Sequence, residues 1–432
     1  MVDHKRNLAL LSYFGGFRRS NALTVPVLFS FWISHGLSES EIGLVTSIFA
    51  IGFVIFEVPS GWLSDKIGSR KLMLSAGSLL LVARALLYLL HIHFPDTFLA
   101  LPSLVLAEIL FATGLCLISG SDTALSRESS EQESLNQQND SEDINHRATR
   151  SWSKIVGING LVATALALFG SLVAFSTSLE TVFYFLLVGY IVGFCITLLI
   201  EERPQERRST NQRSVANSGN SSSIRQFFSR RGSWDLLLLS ATVVSVTSLV
   251  MYLYEPTLAS TGYELDLNRM WVFPLRELLS AIPAFFAARL VERYGFRKVS
   301  IAILLYMSAI NFLVASTLGS SAILLLLCSE LALGTHNAIA PAEAVRLGGE
   351  SFKATAESIR SLFCRLASAL TVAALFPTIE FWGLGTGFAV LAAWLFSVSI
   401  VLIASLIFDS ETREPVTLTE ESDEIMAYEL QT

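Results

Sequence analysis

Charge is what this chain has least of. Only 16% of its 432 residues are charged, against 52% that are hydrophobic, a balance too apolar for a soluble two-domain protein. Cysteine is scarce as well. Cys116, Cys195, Cys328 and Cys364 all sit inside apolar runs without paired spacing, so they read as small buried hydrophobes and neither a disulfide framework nor a thiolate metal centre is expected. Nucleotide-binding loops, an H-E-x-x-H pair and a Ser/His/Asp cluster on one face are all missing, which argues against an integral membrane enzyme and calls for no cofactor or metal. The polar first seven residues lead into an apolar run without an A-x-A-like site, so no cleavable signal peptide is expected.

The charge that exists is unevenly placed. At about 20 apolar residues per bilayer crossing, the chain offers twelve runs, at about 8–33, 41–63, 72–91, 98–119, 152–176, 180–200, 234–258, 269–290, 298–318, 321–341, 355–378 and 383–408. None of the 30 Lys and Arg falls in the connections at 34–40, 91–98, 176–180, 259–268, 318–321 and 378–383, whereas the alternate connections carry most of them. This asymmetry predicts a multi-pass protein of the cytoplasmic (inner) membrane, with both termini in the cytoplasm. Residues 126–150 are polar, acidic and nearly free of aliphatic side chains, so no core is expected there. Residues 201–231 carry seven arginines among Ser, Asn and Gln and read as a flexible or surface-lying linker able to touch anionic lipid headgroups. The aromatic interleaving that nucleic-acid binding requires is absent there. The acidic tail at 417–432 is expected to be disordered.

One stretch organises the rest. Gly61, Asp65, Gly68, Arg70 and Lys71 form G-x-x-x-D-x-x-G-x-R-K between two apolar runs. Gly68 permits a tight turn, Asp65 places an anion at a helix end, and the two cations hold the turn in the cytoplasm. This spacing resembles the signature loop between the second and third helices of the major facilitator superfamily of secondary transporters. A degenerate copy keeps Glu292, Gly295, Arg297 and Lys298 at an offset of 227 residues (295 − 68). A second echo is Arg147-Ala148-Thr149 against Lys353-Ala354-Thr355.

The resemblance implies an all-α membrane protein of twelve transmembrane helices in two six-helix pseudo-repeats, with a substrate site between them near the midplane. On that basis residues 1–200 form the first half, 201–233 a linker, 234–408 the second half and 409–432 the tail. Glu57-Val58-Pro59-Ser60-Gly61 and the S-G-x-x-x-A-L run from Ser119 to Leu125 resemble a bacterial branch whose assigned members export drug-like compounds. The implied function is secondary active transport of a small organic molecule by alternating access, as a proton-coupled exporter of drug-like or siderophore-like compounds and as a monomer. An uptake symporter for a metabolite or siderophore is the alternative, and a non-transporting receptor or scaffold is the rival from another class. The fifth span departs from the proton-antiporting exporters, having Gly157-Ile158-Asn159-Gly160 and Gly170 without the expected proline, and the fourth span lacks their arginine.

Seven cations lie within spans: Arg18, Arg19, Arg84, Arg269, Arg276, Arg360 and Arg365. A charge at the bilayer centre costs about 2.5–3.5 kcal/mol on insertion scales, so each needs a partner, a water-filled cavity or a route to the interface. Arg84 and Glu108 share a depth and are expected to pair, whereas the repeat puts Asn311 where Arg84 stands and leaves Glu330 either unpartnered or within reach of Arg365. Glu330 is therefore the leading candidate for proton coupling. Arg18, Asn21, Glu108, His336 and Arg365 complete the substrate and coupling candidates; at most one of Arg18 and Arg19 can face the cavity. Glu255, Arg276 and Glu277 could make an extracellular gate or a surface pair. His336 could relay protons or be hydrogen-bonded structure, and Glu57 is expected to pair with an arginine at the cytoplasmic side.

Overall fold

The computed structural model describes residues 4–18, 22–24, 28, 31–32, 36–86, 100–135, 141–201, 224–225, 227–260, 265–317, 320–349 and 352–412. Long helices dominate them and no strand occurs among them. The first half contains α1 (His4–Arg18), α2 (Glu39–Ile67), α3 (Ser69–Leu86), α4 (Ala100–Ile118), α5 (Ser121–Leu135), α6 (Ser141–Ser176) and α7 (Leu179–Leu199). The second contains α8 (Arg231–Ser260), α9 (Leu265–Tyr294), α10 (Phe296–Thr317), α11 (Ser320–Gly348), α12 (Lys353–Trp382) and α13 (Leu384–Thr412). Because α4 and α5 share one apolar span, Leu101–Ser130, the thirteen long helices of the described residues correspond to the twelve runs. Among the described residues, nine spans are long and apolar enough to cross a bilayer.

Local chemistry sets the helix ends. Ser38 and Glu41 form a reciprocal capping box at the start of α2, the Glu41 amide reaching Ser38 Oγ at 3.3 Å and the Ser38 amide reaching Glu41 Oε2 at 2.9 Å, which satisfies two donors at the helix start. The helix stops at Gly68, whose φ of +100° a residue with a Cβ rarely adopts. Gly295 makes the equivalent turn in the repeat at φ +81°.

Packing follows from apolar stripes. On α3 the buried Leu72, Met73, Ala76, Leu80 and Ala83 recur at three- and four-residue spacing, the signature of one inward-facing side, and this helix lies on α4 and α7. Outward faces are apolar too: Phe381 is 78% and Phe175 73% exposed, a surface that water disfavours and lipid does not. Within the second half, α10 packs on α13 and α11, and α8 on α12 and α11. Between halves, α2 lies on α12, and α6 lies on α9 and α11. The second helix of each half thus packs on the fifth of the other, as a duplication about one axis requires.

The polar stretch at 126–150 differs from expectation. It is helical at 126–135 and 141–150, and Ser126, Ser129 and Ser130 are buried. Ser130 Oγ donates to the Ser126 carbonyl at 3.0 Å. A serine that bonds back along its own helix loses little on leaving water, so residues read as too polar for a core extend the fourth and fifth spans beyond the apolar run.

Candidate functional site

A cavity of about 490 Å³ lies between the halves. The first half reaches it with Phe53 of α2, Asp122 of α5 and Trp152 and Asn159 of α6; the second with Arg276 and Glu277 of α9, Glu330 and Asn337 of α11 and Glu357, Arg360 and Arg365 of α12. Trp152 Nε1 donates to the Asn337 carbonyl at 3.3 Å, tying α6 to α11 across the interface.

Among the described residues three guanidinium groups line this space, in different states. Arg276 Nε donates to Glu330 Oε1 at 2.8 Å, with the Glu330 side chain only 1% exposed. Glu330 is therefore neither unpartnered nor paired with Arg365. The depth of Arg276 explains the difference: α9 starts at Leu265, which puts Arg276 about three turns into the helix rather than at an outer lip. Arg276 accordingly joins the cavity. The side chains of Glu255, its proposed gate partner, and of Arg269 lie outside the described residues. Arg360 makes a two-pronged pair with Glu357, at 2.7 and 2.6 Å, one turn earlier on α12. Arg365 is exposed, with its guanidinium 4.2 Å from the centre of the Phe53 ring, and no described carboxylate stands within salt-bridge distance of it.

Two buried acceptors in the lining lack a donor: Asn159 Oδ1 and Glu330 Oε2. Glu330 stands out in the sequence as an acid within a span, whereas Asn159 is marked there only as part of a glycine motif. The Glu357–Arg360 pair was not anticipated, although its i, i+3 spacing of opposite charges marks it in the sequence.

Other candidates lie elsewhere. Arg84 Nη1 stands 3.8 Å from Glu108 Oε1, both nearly buried, and the Arg84 guanidinium covers the Phe111 ring at 3.7 Å; this expected pair is present, but it sits away from the cavity lining. His336 is fully buried with neither ring nitrogen hydrogen-bonded, and its neighbour Asn337 lines the cavity in its place. Glu57 accepts from Ser119 Oγ at 2.6 Å, so the arginine pair expected for it is replaced by a hydroxyl from the break between α4 and α5. The Arg18 side chain, Arg19 and Asn21 lie outside the described residues.

The signature turns sit at one end of the bundle, here called the hinge end. Asp65 caps α12: its carboxylate accepts from the Ala354 and Thr355 amides, each at 3.0 Å, and from Thr355 Oγ1 at 2.5 Å. Gly61 makes room for this contact, since a Cβ there would lie 2.4 Å from Ser358 Oγ and 2.9 Å from the Ala354 carbonyl. Glu292 takes the corresponding place in the repeat and binds Arg150 of α6 through both oxygens at 2.5 Å. Arg70 Nε donates to the Ile200 carbonyl at 2.5 Å, and Arg297 pairs with Asp235 at 2.8 Å, each holding helices within one half. Lys71 and Lys298 are exposed.

The comparisons agree on the fold. The profile of the Major Facilitator Superfamily matches residues 9–372. No curated protein sequence matches the chain. Among solved structures, the human organic anion transporter MFSD10 (TETRAN) is similar with a TM-score of 0.70 at 14% identity, covering 93% of this chain and 100% of that one. The E. coli fucose:proton symporter FucP gives a TM-score of 0.68 at 15% identity over 91% of this chain and 97% of the other. The proton:xylose symporter XylE, bound to 6-bromo-6-deoxy-D-glucose, gives 0.69 at 15% over 92% and 95%.

Proposed function

This chain belongs to the major facilitator superfamily, and from that premise we propose that it is a proton-coupled secondary transporter carrying a small organic molecule by alternating access of the central cavity. The observation that carries the proposal is the Arg276–Glu330 pair, whose Glu330 Oε1 takes the Arg276 bond while Oε2 is buried without a donor. A proton can sit on Oε2 without dismantling the bond at Oε1, so the pair tolerates both a charged and a neutral Glu330. Glu277 lines the same cavity, placing a second acid in the lining. Such a group can bind a proton in one state of the carrier and release it in the other, provided substrate or helix movement alters the pair. Two fold neighbours are proton symporters of sugars, which supports proton coupling as a use of this architecture.

We assign the hinge end to the cytoplasm, on the concentration of Lys and Arg in the connections there. The carrier described is then closed toward the cytoplasm by the Asp65 cap and the Arg150–Glu292 pair.

Proteoliposomes loaded with a pH-sensitive dye test this reading. They are challenged with small sugars, organic acids and amines under inward and outward pH gradients. Solute-driven proton movement is expected for the wild type, and the gradient that drives accumulation separates uptake from export. Glu330→Gln should abolish proton movement while counterflow exchange of the same solute persists. Full pH-dependent transport by Glu330→Gln would overturn the proposal.

A further inference from the structure

We infer that the cavity takes a small organic acid, with its carboxylate seated on Arg365 and hydroxyl groups of the same molecule donating to Asn159 and Glu330. This names a substrate class for the site above and rests on the transport reading. Of the three cations that line it among the described residues, Arg276 is held by Glu330 and Arg360 by Glu357, whereas Arg365 has an aromatic ring for a partner. Stacking on Phe53 leaves its function open. A guanidinium lying over a ring keeps its N–H donors directed outward in its own plane, where a carboxylate can accept two of them. The acids nearby form no ion pair with Arg365: Glu57 accepts from Ser119 Oγ through Oε1 and keeps Oε2 buried without a donor, and Asp122 Oδ1 accepts from the amide and hydroxyl of Thr123.

The orphaned acceptors point the same way. Asn159 Oδ1 and Glu330 Oε2 are buried without donors, and a buried acceptor left unsatisfied is unfavourable. A guest carrying hydroxyl groups satisfies both. A guest bringing only acceptors leaves both orphaned, and a cation meets Arg365 with like charge. The cavity volume of about 490 Å³ suits a ligand of metabolite size.

Equilibrium binding to the purified full-length protein at fixed pH tests this, using gluconate, quinate and citrate against glucose, inositol and N-methylglucamine. At least one acid is expected to bind at least about tenfold more tightly than every neutral or cationic probe. Arg365→Gln should weaken that acid about 10- to 100-fold, the loss expected for a hydrogen bond to a charged group, and Arg365→Lys should recover part of it. The inference is overturned if no acid binds, if glucose, inositol or N-methylglucamine binds as tightly as the best acid, or if Arg365→Gln binds that acid like the wild type. Selectivity of the wild type decides the matter should the variant fail to fold. An acid that binds without moving protons in vesicles overturns the coupling reading alone; proton movement driven only by a non-acid overturns this inference alone.

Discussion

Replacing Asp65 by Asn removes one charge from the contact that joins the halves at the hinge end. The native carboxylate accepts three hydrogen bonds from the first residues of α12. Asn keeps a single acceptor oxygen, and its amide nitrogen then faces a donor with a donor. At least one charge-assisted bond is lost, worth about 1.5–3 kcal/mol, together with a charge–dipole attraction of about 0.3–1 kcal/mol. The total of about 2–4 kcal/mol corresponds to a shift of roughly 30- to 1,000-fold in the equilibrium between closed and open hinge ends. Spin labels at the exposed Lys71 and Lys298, in a background without the exposed Cys195, read the separation of the halves by pulsed electron resonance. Asp65→Asn should populate longer distances, lower the transport rate and leave the protein folded. An unchanged distance distribution in a folded variant would refute the role given to this cap.

Two further substitutions separate structural from gating charge. Arg84→Ala strands Glu108 among buried groups and should destabilise by about 3–5 kcal/mol, seen as a lower Tm and a poor yield of folded protein; an unaltered Tm would show that the pair contributes little. Glu292→Gln breaks a pair whose Arg150 side chain is 56% exposed, and exposed pairs contribute about 0–1 kcal/mol, so the ratio of long-distance to short-distance populations read by the same spin labels should change by less than about fivefold.

The hinge was legible in the sequence because its chemistry is local. A glycine turn, an acid one turn earlier and two cations must keep fixed spacing to work, and 227 residues later most of that spacing recurs. Pairing by depth also worked for Arg84 and Glu108, which sit on consecutive antiparallel spans. It failed for Glu330, since the choice between Arg276 and Arg365 depends on which neighbouring helix faces α11, and on where α9 begins. A start four residues earlier than the apolar run suggests places Arg276 in the cavity, whereas an extracellular gate or a surface pair was expected. Nothing in composition marks Asn159 as a cavity residue: its place depends on the close approach of α6 and α9, where a Cβ on Gly160 would come 2.6 Å from that of Ala281.

The helical stretch at 141–150 bears on why the two hinge-end contacts differ. Phe352, at the cap position of α12, has no side-chain bond to the helix, so the first amides of α12 need an acceptor from elsewhere. Asp65 supplies it from the opposite half. In the repeat, the residues answering Lys353-Ala354-Thr355 are Arg147-Ala148-Thr149, and these are not at a helix start: α6 already begins at Ser141. Their amides are spent inside the helix, which leaves Glu292 only a side chain, Arg150, to bind. The extra helix at 141–150 thereby turns a buried cap into a half-exposed ion pair. Parting of the halves at the hinge end must uncap α12 but leaves the amides at 147–149 bonded within α6, so the uncapping falls on the second half, at the end of the helix that also carries Glu357, Arg360 and Arg365 into the cavity. A ligand held on α12 is thus connected to the gate through one continuous helix, whereas a ligand held only by α6 is not.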